Sequence, residues 1–180
     1  MILQILTAIS TLSVFILSLF APFYVEFVQD MGESISFAGF SWALFMITTG
    51  ICMLLISKWE STIKHHEKLY AAGALLRAVV FLSYAFMGSI YQLLGTQLIF
   101  GFSYALSGPA FYSLFTKNVD HNNSIIHWAR WEACTVIGTG IAALIGGFFI
   151  ESFGYEILFI LMAALSVGIS VVMWNLQKKK

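Results

Sequence analysis

Two ionisable residues lie inside apolar stretches of this sequence and are the first candidates for chemistry. Arg77 sits in Gly73-Ala74-Leu75-Leu76-Arg77-Ala78-Val79-Val80, and Glu132 follows Trp131 and precedes Ala133-Cys134. Charge among apolar neighbours is costly and marks ion pairs, proton relays or ligand sites. Arg77 has three readings: snorkelling to headgroups, a charge pair, or an anion site. Glu132 is either a favourable charge at a helix N-terminus, a partner for a nearby Lys or Arg, or a coupling or gating carboxylate. Glu26 reads as solvated at the end of its run. The uncharged candidates are Tyr24 and Tyr112, each close behind a proline (Pro22 and Pro109), with Gln97, Tyr104 and Ser107. Proline frees a carbonyl and bends a helix, which suits a cavity wall or a packing kink. Hydroxyl and amide groups in such helices bond either a solute or a neighbouring helix.

Other chemistries find no support. Ser107-Gly108 is preceded by Ala105-Leu106, without the Gly-x that an intramembrane serine nucleophile motif needs, and no His lies in an apolar run. We expect no enzyme. Cys52 and Cys134 have no CxxC spacing and no His companion. His65, His66, His121 and His127 fall in polar breaks without ligand spacing, so no metal site is expected. No nucleotide-binding motif occurs, so no cofactor and no direct ATP drive are expected. The net charge is zero, so no field draws in nucleic acid.

The elements that must position these residues follow from composition. Hydrophobic residues make up 59% and charged residues 10%, against about 45–50% and about 25% in soluble domains. Six apolar runs are present, at roughly 3–28, 37–57, 69–88, 92–115, 128–150 and 157–176. Each is long enough to cross a bilayer as a helix. The polar breaks run from Gln29 to Ser36, Lys58 to Lys68, Gly88 to Tyr91, Thr116 to His127 and Glu151 to Glu156. Breaks this short make neighbouring helices antiparallel. The first run is too long for a signal peptide and reads as an uncleaved span. Lys58, Lys64, Lys68, Lys117, Arg130 and Lys178 to Lys180 fall on one side. The other three breaks carry Asp30, Glu33, Glu151 and Glu156 and no Lys or Arg. Positive charge stays inside, so both termini are expected in the cytoplasm, with the chain in the cell membrane.

The two halves echo each other. Pro22 and Pro109 are 87 residues apart, Trp42-Ala43 and Trp128-Ala129 are 86 apart, and Thr49-Gly50-Ile51 and Thr139-Gly140-Ile141 are 90 apart. Glu60-Ser61 recurs as Glu151-Ser152, 91 residues on. The expected fold is therefore an all-α membrane protein of six transmembrane helices in two three-helix repeats, about 1–88 and 92–176, with a basic tail at 177–180 and residues 1–180 as one domain. An odd number of spans per repeat inverts the second copy, a plan used by secondary transporters.

The residues from Gly101 to Phe159 carry a resemblance to a known family. Pro109 late in the fourth helix, then Trp128 and Glu132, the glycines Gly138, Gly140, Gly146 and Gly147, and Gly147-Phe148-Phe149-Ile150-Glu151-Ser152-Phe153-Gly154 closing into Leu158-Phe159 come in that order. In this the chain resembles one six-helix half of a major facilitator superfamily (MFS) transporter. The loop Ser57 to His66 departs from that family's usual GxxxD(R/K)xGR(R/K), and Ala142-Ala143 stand where an antiporter pattern would place Gly-Pro. The resemblance implies a cavity lined by the first and fourth helices, and an interface between halves bordered by the second and fifth. The helix-five glycines read as close-packing positions and, by resemblance, help two copies meet. The implied function is secondary transport of a small-molecule substrate by a homodimer in membrane lipids. The alternatives are a non-transporting scaffold, or half of a split transporter with a non-identical partner.

Overall fold

The apolar runs fold as helices because backbone groups at membrane depth must be satisfied within their own segment. The computed structural model describes residues 2–176, and the basic tail at 177–180 lies outside the described residues. In chain order the helices are α1 (Ile2–Ser18), α2 (Tyr24–Asp30), α3 (Ile35–Glu60), α4 (His66–Ala85), α5 (Ile90–Asn118) and α6 (Ser124–Leu176). Short 3-10 turns at Ala21–Phe23 and His121–Asn123 lead into α2 and α6. No strand occurs among the described residues. Five stretches are long and apolar enough to cross a bilayer: Ile2–Asp30, which joins α1 and α2, and then α3, α4, α5 and α6. The chain is an all-helical, multi-pass membrane protein.

Two local departures shape this arrangement. Pro22 has no N–H to give, and the Phe23 N–H turns to the Phe20 carbonyl at 2.9 Å. The bend expected at Pro22 is thus a full interruption between α1 and α2, whereas Pro109 sits inside unbroken α5. The second departure is Gly154, with φ 78° and ψ 171° inside the 53-residue α6. The break expected from Glu151 to Glu156 is helical on either side of this one residue. Glycine reaches that conformation without Cβ strain, so a single residue redirects the chain.

Contacts between named residues define the packing. Ser10 and Ser18 of α1 bond to Trp131 and Thr139, so α1 runs along the first arm of α6. On the other side, α3 runs along α5, with Phe45 stacked on Phe100 at 4.6 Å. Between α5 and the second arm of α6 lies α4, where Ser170 Oγ donates to the Ala71 carbonyl at 2.8 Å. Three glycines allow backbones to meet. A Cβ on Gly146 would fall 1.9 Å from the Leu19 carbonyl oxygen, on Gly101 2.8 Å from that of Phe45, and on Gly73 2.6 Å from that of Ser103. Lipid supplies no hydrophobic drive between helices, so such close packing holds them. Several hydroxyls are satisfied locally, as Ser18, Thr49 and Ser166 each donate to the carbonyl one turn earlier at 2.8 Å, whereas Thr11 Oγ1 and Tyr84 Oη are buried without a partner among the described residues. The outer surface is apolar, with Leu54, Leu55, Leu144 and Phe148 all largely exposed, as a lipid-facing surface requires.

Candidate functional site

Arg77 projects from α4 against α5 and is only 5% exposed. Its Nη1 donates to Ser107 Oγ at 2.6 Å. That oxygen is free to accept because its own proton goes to the Ser103 carbonyl at 3.0 Å. The guanidinium carbon stands 5.7 Å from the Tyr70 ring centroid and 5.2 Å from that of Tyr104. Among the described residues no carboxylate lies within ion-pair distance of it. Each cation–π contact supplies about 0.5–2 kcal/mol, whereas a buried charge without a counter-charge costs at least several kcal/mol. The protein groups alone leave this charge under-compensated.

A cavity of about 190 Å³ opens beside the guanidinium. Ser10 and Ser13 of α1, Tyr104 and Tyr112 of α5, and Trp131 of α6 line it, and Arg77 is the charged residue in the wall. The hydroxyls are held in place. Ser13 Oγ and Tyr70 Oη are 2.7 Å apart, and Trp131 Nε1 donates to Ser10 Oγ at 3.1 Å. The cavity thus offers one fixed cation, several hydroxyls and aromatic faces.

Of the residues singled out from sequence, this cavity gathers Arg77, Tyr104, Ser107 and Tyr112. Sequence reasoning missed Tyr70, Ser10, Ser13 and Trp131. Tyr70 had a signal, since it lies two helical turns before Arg77 on the same face.

Tyr24 and Gln97 belong to a separate, fully packed relay. Gln97 Nε2 donates to Tyr24 Oη at 2.5 Å, and Tyr24 Oη and Ser41 Oγ are 2.6 Å apart. Ser41 spends its own proton on the Ala38 carbonyl at 3.0 Å, so Tyr24 donates to Ser41. Gln97 Oε1 has no partner. Tyr24→Phe therefore strips the Gln97 amide of its bond and is expected to cost about 1–3 kcal/mol. Adding Gln97→Leu removes the orphaned group and should recover much of that loss. Thermal midpoints of the single and double variants in one detergent check both expectations.

The remaining candidates lie elsewhere. Pro22 is exposed in its 3-10 turn. Pro109 borders a different cavity, of about 380 Å³, with Glu60, His66 and Ser113. There Glu60 is 6% exposed with neither carboxylate oxygen bonded, and Ser113 Oγ lies 2.9 Å from His66 Nδ1. Glu132 is exposed on α6 and forms no ion pair among the described residues. Gly138, Gly146 and Gly147 face Thr11, Leu19 and Phe23 of the same chain, while a Cβ on Gly140 would meet nothing within 4 Å.

Comparison with known proteins bears on the family. The chain is 25% identical over 145 residues to a Bacillus subtilis (strain 168) protein described as the uncharacterized MFS-type transporter YitZ, an alignment covering 79% of this chain and 86% of that relative. The family model described as Major Facilitator Superfamily matches residues 5–180. A match over nearly the whole length of a multi-pass helical chain establishes that the chain belongs to the major facilitator superfamily.

Proposed function

We propose that this chain is a half-size secondary transporter that carries a small solute by alternating access as a homodimer. The observation that carries this reading is the Arg77 cavity, a pocket holding one buried cation and walled by helices from both halves of the sequence. Six spans are inferred from α6. At about 1.5 Å per residue, its 53 residues would reach about 80 Å if straight, against about 30 Å of hydrocarbon. Read as two spans, 124–153 and 155–176, it completes two three-helix repeats. The packing supports that repeat, because α1 with the first arm of α6 and α3 with α5 are equivalent pairs when the halves are exchanged. The distribution of Lys and Arg supports both termini in the cytoplasm, and the membrane is read as the cell membrane.

A single copy supplies one wall of a transport pathway, and alternating access needs two bundles about a central site. The groove between α1 and the first arm of α6, about 920 Å³ with Arg130 and His127 at its edge, supports a second copy as the opposing wall, through a two-fold axis along the membrane normal. The relative that aligns over 86% of its own length is similarly short, which supports a family of half-size chains.

Oligomeric mass in lipid nanodiscs at low protein loading tests this. A particle of two 20.0 kDa chains that survives dilution is the expected result. A persistent monomer overturns the homodimeric reading. Co-purification of a different six-helix chain replaces it with a split transporter.

A further inference from the structure

We infer that the Arg77 cavity takes a small organic monoanion, a carboxylate carrying one ring or a short apolar chain. This rests on reading the cavity as the solute site, and four observations point to the ligand's chemistry.

The first is the buried guanidinium without a counter-ion. A charge so placed is tolerated where something supplies the opposite charge, and no carboxylate among the described residues does so. The second is its unused capacity. A guanidinium has five N–H donors, and among the described residues one hydrogen bond to a side chain is formed, to Ser107. None of its nitrogens is sealed off without a partner among the described residues, and Arg77 stands in the cavity wall. The guanidinium fork matches two carboxylate oxygens in one plane.

The third observation is charge count. Among the described residues Arg77 is the one charged residue in the cavity wall, so it balances a monoanion and leaves a dianion such as phosphate half-compensated. The fourth is size and surface. The cavity measures about 190 Å³, below the roughly 300–1,000 Å³ of sites for drug-sized ligands. Beyond the guanidinium its wall is aromatic, with Phe111, Tyr112 and Trp131. A carboxylate head on Arg77 with a short apolar body against these rings uses every surface. The hydroxyls of Ser10 and Ser13 are already engaged with Trp131 and Tyr70, so they set the shape of the pocket and add little polarity to it.

The test compares three probes of one shape and different charge on the whole protein in nanodiscs: benzoate, benzamide and benzylammonium, each by titration calorimetry. Benzoate is expected to bind at least about ten-fold more tightly than benzamide, with no binding of benzylammonium. Arg77→Gln should abolish the preference for benzoate over benzamide, and Arg77→Lys should keep a weakened one. Ligand charge is varied on the unmodified protein, so the result stands even where an Arg77 variant does not fold. Equal affinity for benzoate and benzamide, or no benzoate binding by protein that is folded, overturns the inference. Transport is scored separately in proteoliposomes. Uptake of a neutral or cationic compound without benzoate binding sinks the anion site and leaves the transporter. Benzoate binding without movement across the bilayer leaves the anion site and sinks the transporter.

Discussion

Gly146→Val is expected to remove folded, monodisperse protein from detergent extracts. At Gly146 a Cβ would lie 1.9 Å from the Leu19 carbonyl oxygen, 2.7 Å from its carbon and 3.0 Å from its Cα. All three are backbone atoms, so no rotamer change relieves the clash. Leu19 stands where α1 has just ended ahead of Pro22, and its carbonyl meets α6 because the chain has left the helical path there. The break ahead of Pro22 and the missing side chain at Gly146 thus meet in one backbone contact. Overpacking in ordinary cores costs about 1–3 kcal/mol. Contact with fixed backbone at this distance should exceed that range and separate α1 from α6. Gly140→Ala is the control. It lies six residues earlier on the same helix with nothing within 4 Å of the added carbon, and helix propensity favours alanine by about 0.5–1 kcal/mol. Size-exclusion profiles and thermal midpoints of the two variants check the contrast. Equal loss from both would mean that the face around Gly140 is also tightly covered, as it would be against a second copy.

The membrane class was legible because lipid restricts the options so strongly. A run such as 37–57 has no alternative to helix, and α3 indeed covers it. The turn at Gly154 was legible as a place but not as a form, since composition marks polar residues while the chain needs one residue with positive φ. For the site, neither residue type nor position relative to proline decides alone: Arg77 lines the cavity and Glu132 does not, and of the two tyrosines behind prolines Tyr112 lines it and Tyr24 does not. Arg77 stood out because charge in an apolar run demands explanation, and it lies in the cavity. Tyr24 stands close behind Pro22 and Gln97 gives its helix a polar edge, yet the Tyr24 hydroxyl is engaged by Gln97 Nε2 and Ser41 Oγ away from the cavity. Sequence shows donors and acceptors, and which of them find partners depends on contacts between residues as far as 121 apart. Glu60 illustrates the converse. It read as one half of a repeated Glu-Ser pair in a polar loop, and the fold buries its carboxylate beside Pro109 without a partner.

Phe20→Ala should cost about 3–5 kcal/mol, the second large effect expected. The Phe20 ring lies within 4.7–6.2 Å, centroid to centroid, of five others: Tyr24, Phe27, Tyr84, Tyr155 and Phe159. These belong to α2, α4 and the second arm of α6, so one side chain joins the α1 break to the region just after Gly154. In a bilayer, removing it exposes nothing to water, and the loss comes from dispersion contacts and the void left behind. Edge-to-face geometry, as with Phe159 at 79° between ring planes, adds to what each contact is worth. Phe40→Ala serves as the control, because Phe40 is exposed on the outer surface and its removal should leave the thermal midpoint nearly unchanged. The effect should also be confined in space. Phe20 lies seven residues beyond Ser13, about 10 Å along the chain axis at helical rise, and takes no part in the wall of the Arg77 cavity. Below its lowered midpoint, Phe20→Ala protein should still bind benzoate with the affinity of the unmodified chain. A loss of binding in protein that remains folded would show that the aromatic cluster and the Arg77 cavity move as one unit, a coupling that their separation does not require.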